Sequence, residues 1–109
     1  RARPRPVDPG VKVRIAVPAR EQARAIDRWW RANRLAAPDL FARELADARR
    51  LLAATPELGA PYIERQGVLV RRVLLRRTQN HVFYEIDRAN GVVMILAVWG
   101  VPKAEGPTL

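Results

Sequence analysis

The sequence predicts an α+β domain with an N-terminal strand, an antiparallel helical hairpin and a three-stranded antiparallel meander. The strands form one small sheet with both helices on one face. Three observations carry this. Apolar residues alternate with period two near the start, recur at helical spacing through the next two stretches, and return to strand-like runs in the last third. A chain of 109 residues with 49 % apolar content holds one hydrophobic core rather than two.

The opening RARPRPVDPG carries Pro4, Pro6, Pro9 and Gly10, which break regular structure. Residues 1–10 are therefore expected to form an extended, mobile arm, and residues 11–109 a single domain. In VKVRIAV, Val11, Val13, Ile15 and Val17 share one face while Lys12, Arg14 and Ala16 share the other, the signature of a half-buried strand. Pro18 suits a first helical turn, where its missing N–H is no loss. Ala19, Ala23, Ile26 and Trp30 then form a helical stripe, and Arg20, Arg24, Arg28 and Arg31 repeat that spacing on a neighbouring face. Glu21 and Asp27 are placed to neutralise part of this arginine strip. Trp29 lies off the main stripe and is expected to pack on the second helix or the sheet, an interface being the alternative.

A second helix starts near Pro38, with Phe41, Leu45, Ala48 and Leu52 as its stripe, and ends before Pro56 and Gly59. The short link between the helices predicts an αα-hairpin. Residues 57–67 read as a loop. Strand-like runs follow at Val68–Arg76, His81–Asp87 and Val92–Trp99. The last is apolar on both faces and should be a central strand. If Thr78 and Gln79 form the tip of the first hairpin, Arg76 pairs with His81, Leu74 with Phe83 and Arg72 with Glu85. That places Val73, Leu75, Val82, Tyr84 and Ile86 toward the helices and Arg72, Arg76, His81 and Glu85 on the open face. Tyr84 is read as a core tyrosine with its hydroxyl at the edge. Arg72 and Glu85 would form an exposed cross-strand ion pair worth about 0–1 kcal/mol.

Composition narrows the function classes. There are no cysteines and one histidine, so thiolate sites, disulfides and a histidine metal centre are not expected, and no cofactor is predicted. No apolar run approaches the roughly 18 to 20 residues of a membrane span, and a cytoplasmic location is expected. The net charge of +9 is uneven: residues 1–34 hold 10 basic and 3 acidic side chains (+7), residues 35–66 hold 4 and 5 (−1), residues 67–109 hold 6 and 3 (+3). The excess on the arm and first helix suits nucleic acid or an acidic protein segment. Of the 20 basic residues, 18 are arginine, which suits bidentate pairing with carboxylate or phosphate, although a coding bias toward arginine would give the same ratio.

The order of elements, with WWRANR in the first helix, the Leu51…Pro56…Gly59 helix exit, the paired Arg71 and Arg72, HVFYEID and the closing AVWG…GP, resembles the RelE/ParE toxin superfamily over about Val13 to Pro107. It looks most like the ParE branch. The resemblance implies a cytosolic toxin of a type II toxin–antitoxin system. Its partner would be a cognate antitoxin with an acidic, ParD-like C-terminal segment, in a hetero-oligomeric complex. RelE-like members cleave mRNA on the ribosome; ParE-like members inhibit DNA gyrase without being nucleases.

Metal-free RNA cleavage needs a base, an acid and cations for the phosphorane. The resemblance implies that RelE-like toxins draw these from lysines on the second strand, an arginine opening the third, and an arginine and tyrosine after the fourth. Here Arg72 stands where one lysine would be, Leu74 replaces the other, and His81 takes the arginine's place. Beyond Trp99 only Lys103 is cationic. If the chain is a ribonuclease, the catalytic candidates are Arg72, Arg76, His81 and Lys103. If it inhibits a macromolecule, Arg72, Arg76, His81, Trp99 and Lys103 are the target-binding candidates. Arg20, Arg24, Arg28, Arg31 and Trp29 are the antitoxin-binding candidates. A non-toxic, basic nucleic-acid-binding module is the third reading.

Overall fold

The computed structural model describes residues 11–101 and 106–109. The expected N-terminal arm and Lys103 lie outside the described residues. The elements are β1 (Lys12–Ile15), α1 (Val17–Asn33), α2 (Leu40–Ala54), a 3-10 turn (Pro56–Leu58), β2 (Ala60–Arg65), β3 (Val68–Leu75), β4 (Asn80–Asp87) and β5 (Val92–Gly100). The five strands form one sheet in the order β1-β5-β4-β3-β2, with β1 parallel to β5 and the other pairs antiparallel. Among the described residues no helix is long and apolar enough to cross a membrane.

The α+β architecture matches the sequence expectation, with one strand more. The stretch read as a loop at 57–67 contains β2, so the meander has four strands rather than three. β2 lies at the sheet edge, which tolerates Pro61 because no further strand needs its N–H. Its pairing with β3 shifts between Pro61 and Ile63, at Tyr62. That irregularity erases the alternation by which a strand is recognised.

Both helices pack on one face of the sheet. The small side chains of Ala19 and Ala23 are buried, which lets α1 approach β5 closely. Phe41, Ala48 and Leu52 of α2 are buried against the same layer, with Leu75, Val82, Tyr84, Val93, Ile95 and Val98 beneath. Val13, Ile15, Val73 and Ile86 complete this core from its margins, as expected from their positions in the sequence. Full burial of residues such as Phe41 and Leu52 contributes about 1.5–3 kcal/mol each. β1 stops at Ile15, leaving the end of β5 without a strand neighbour on that side; there the side-chain oxygen of Gln22 on α1 accepts from Val98 N–H at 2.9 Å.

The β3–β4 hairpin differs from its expected register by two residues. Leu75 faces Asn80, Leu74 faces His81, Arg72 faces Phe83 and Val70 faces Glu85. Four residues, Arg76 to Gln79, make the turn, with Gln79 in the left-handed region at φ 60° and its N–H donating to Leu75 C=O at 2.8 Å. Glu44 of α2 holds this turn from outside the sheet. Its carboxylate accepts from Arg77 N–H (2.7 Å), Thr78 N–H (3.1 Å) and Thr78 Oγ1 (2.6 Å).

Tyr84 is fully buried, and its hydroxyl ties the sheet to the helix exit. The hydroxyl donates to Pro56 C=O at 2.6 Å and accepts from Gly59 N–H at 2.7 Å. Burial pushes the phenol pKa up, partly offset by the Gly59 N–H. Gly59 is required by close approach: a Cβ there would lie 2.7 Å from the Tyr84 hydroxyl and 2.9 Å from Arg72 C=O. Tyr84→Phe strands both backbone groups and should lower unfolding free energy by about 1–3 kcal/mol in urea denaturation. Gly59→Ala should lower it by a similar about 1–3 kcal/mol through overpacking.

Candidate functional surfaces

The sheet face turned away from the helices carries a second apolar cluster. Val70, Phe83 and Ala97 are buried there, with Tyr62, Leu96, Trp99 and Leu109 packed around them. The β4–β5 pairing shifts so that Phe83 faces Ala97 while Tyr84 faces Ile95, making Leu96 the extra residue of a bulge. The bulge is how one apolar run serves both faces. Tyr62 meets Phe83 edge-on with centroids 4.8 Å apart, and the His81 ring lies 5.8 Å from Phe83. The Arg72 guanidinium stacks 4.9 Å over the Tyr62 ring.

Three of the expected target-binding residues therefore share one surface. Arg72 on β3 lies across from Phe83, His81 is the second residue of β4, and Trp99 on β5 is the cross-strand partner of His81. Arg76 does not join them. It sits in the turn, and its side chain borders a groove of about 330 Å³ whose walls include Leu51, Leu58, Leu74 and Val73. The expected Arg72–Glu85 ion pair is absent as well: the shifted register puts Phe83 opposite Arg72, and Glu85 lies 3.8 Å from Arg65 of β2. Arg71, on the opposite face, donates to Gly59 C=O at 2.9 Å and thereby braces the same bend that Tyr84 holds.

His81 makes no side-chain hydrogen bond among the described residues; its neighbours are an aromatic ring and an arginine. Burial, and secondarily the Arg72 charge, hold its pKa below the ordinary 6.5. The shift favours the neutral imidazole at neutral pH. Because the unfolded chain binds that proton more readily, the neutral imidazole's contribution to stability is present at neutral pH and lost as pH falls below 6.5.

A second surface runs between the helices. Ile15, Ala23, Phe41 and Leu45 line a groove of about 400 Å³, with Arg20, Arg24 and Arg49 on its rim. Arg20, Arg24 and Arg28 are exposed and have no ion pair among the described residues, whereas Arg31 pairs with Asp27 at 3.0 Å. Glu21 therefore does not neutralise the strip as expected. Asp27 also borders the groove, and its Oδ1 is buried without a hydrogen-bond partner among the described residues. Trp29 stays 48 % exposed rather than packing into the core. Its ring meets Trp30 edge-on at 5.9 Å and lies 5.0 Å under the Arg34 guanidinium.

Tyr62 and Phe83 were absent from the expected site. Tyr62 lies in a stretch without alternation, and the expected register gives Phe83 only a strand partner, Leu74. The only available signal was that HVFYEID carries aromatic residues on both faces.

A two-helix layer on a mixed five-stranded sheet, with a basic helical face and an arginine–aromatic outer face, defines a small two-layer α+β protein. Residues 13–100 match the family model described as the ParE toxin of type II toxin–antitoxin system, parDE, and the chain belongs to that family. Its fold is similar to that in the RelBE2 toxin–antitoxin complex from Mycobacterium tuberculosis (TM-score 0.58, 22 % identity, 84 % of this chain and 98 % of that one). It is also similar to the archaeal RelE–RelB complex from Pyrococcus horikoshii (TM-score 0.60, 15 % identity, 86 % and 98 %). The isolated RelE toxin of E. coli aligns at TM-score 0.54 and 14 % identity over 88 % and 89 % of the two chains. No curated protein matches significantly.

The chain's only histidine makes the outer face directly measurable. An NMR titration of His81 should give a midpoint below 6.5, and Arg72→Gln should move it upward. A midpoint at or above the ordinary value would refute the packed, neutral imidazole.

Proposed function

We propose that this ParE-family toxin acts by binding and inhibiting a macromolecular target, DNA gyrase, and that an acidic antitoxin segment neutralises it. The observation that carries the reading is the chemistry around His81. Proton transfer at neutral pH calls for a group held by an orienting partner. His81 is instead packed beside Phe83 and shares its surface with a guanidinium already stacked on Tyr62. Aromatic rings and arginine are the side chains that dominate protein-binding surfaces. Expression without antitoxin should arrest growth with DNA damage and reduced supercoiling by purified gyrase. Ribosome-dependent mRNA cuts that vanish in His81→Ala would replace this reading with the RelE-like ribonuclease.

The antitoxin is assigned to the groove between α1 and α2. Its apolar floor accepts the apolar side of an amphipathic segment, and Arg20 and Arg24 on its rim, with exposed Arg28 farther along α1, attract the acidic side. Two of the similar structures are toxin–antitoxin complexes, which supports a partner of this kind. Charge reversal at both Arg24 and Arg28 should weaken antitoxin binding about tenfold or more in calorimetry, mostly through interactions sensitive to salt. Unchanged affinity would remove the arginine strip from the interface.

A further inference from the structure

The outer face of the sheet is buried where a solvent-facing sheet is ordinarily polar. Val70 is 0 %, Phe83 3 % and Ala97 1 % exposed, values as low as those in the core beneath the helices. Part of the cover comes from the sheet itself, through Tyr62, Leu96 and Trp99. From outside the sheet, Leu109 packs on the same cluster. Gly106 passes so close to Tyr62 that a Cβ there would lie 3.0 Å from the Tyr62 hydroxyl. The Gly106–Leu109 segment has no regular structure of its own. A leucine and a close glycine passage seat it on this face.

We infer that the Gly106–Leu109 segment is an intramolecular occupant of the Phe83 surface, covering a protein-docking site that the target uses once the segment moves off. The bared surface would have an apolar centre of Val70, Phe83 and Ala97 with Arg72, His81 and Trp99 around it. An apolar centre with aromatic and arginine side chains at its margin is the composition of a protein-binding hot spot. An apolar side chain of the target takes the position of Leu109. This rests on the proposed target-inhibiting function for the identity of the partner, but the covering itself does not depend on it.

The test uses the full chain and two variants that act from opposite ends of the segment. Leu109→Asp places a charge against the apolar cluster, and Gly106→Val forces a branched side chain against Tyr62. Both should keep the wild-type far-ultraviolet spectrum and raise the fluorescence of an apolar-surface dye severalfold. In gyrase supercoiling assays both should inhibit at about tenfold lower concentration, as expected if the open form makes up about a tenth of the wild-type protein. A folded pair of variants with wild-type dye binding overturns the covering. Increased dye binding with weaker inhibition also overturns the proposal, because the segment then belongs to the docking surface itself. If neither the wild type nor the variants inhibit gyrase, the target assignment fails while the dye result still decides whether the segment covers the face.

Discussion

The Tyr84 hydroxyl, bonded at once to Pro56 C=O and Gly59 N–H, decides where the chain goes after α2. A buried phenol has to satisfy its oxygen, and here the partners are two backbone groups of the bend leaving the helix. Fixing that bend delivers Ala60 to the open edge of β3, so β2 pairs there and the meander gains a fourth strand. β2 in turn brings Tyr62 over the outer face, where it meets Phe83 and receives the Arg72 guanidinium. One hydrogen-bonded ring in the helical core thus controls the composition of the opposite face. Arg71 reinforces the connection by donating to the Gly59 carbonyl while Gly59 N–H donates to Tyr84.

The two surfaces differ in how their arginines are held. On the helical face, Arg20, Arg24 and Arg28 project from α1 with no ion pair among the described residues, so their field reaches outward. Such charges attract a partner over about a Debye length of 8–10 Å at moderate salt. On the outer face, Arg72 is tied to an aromatic ring and Arg65 faces Glu85, leaving less free charge and more packed surface. The first surface is suited to capture, the second to a close-fitting contact. Glu44 mechanically joins the two regions, since this α2 residue holds the β3–β4 turn that leads into His81.

Much of the fold was legible because the core positions obey simple periods. Ala19, Ala23, Phe41, Ala48 and Leu52 follow the helical stripe, and Leu75, Val82 and Tyr84 follow strand alternation. The hairpin register was not legible, for a definite reason. Shifting a pairing by two residues returns every side chain to the same face, so Val73, Leu75, Val82 and Tyr84 point to the helices in either register. Only turn geometry separates the alternatives, and the four-residue turn is set by Glu44, 33 residues upstream of Arg77. The same shift replaced the expected Arg72–Glu85 pair with Arg72–Phe83 and sent Arg76 into the turn. Tyr62 and Leu96 were hidden by irregularities at two strand pairs, each of which interrupts the period that sequence reading relies on.

Similarity of fold at 14–22 % identity places the chain among RelE- and ParE-type architectures without fixing its chemistry. The scaffold constraints identified here, small alanines under α1, a glycine beneath the Tyr84 hydroxyl, a carboxylate holding the turn, all act on the helical side or at the helix exit. They reach the outer face only through what they place there, β2 with Tyr62 and the turn that precedes His81. The His81 imidazole, with no side-chain hydrogen-bond partner among the described residues and its pKa lowered by burial and by Arg72, presents an aromatic ring with one donor and one acceptor nitrogen to whatever approaches. Arg72 likewise spends its face on Tyr62 and offers only its edge donors outward. Together they make a surface better suited to contact with a protein side chain than to stabilising a pentacoordinate phosphorus, and this is the physical ground of the proposed binding function.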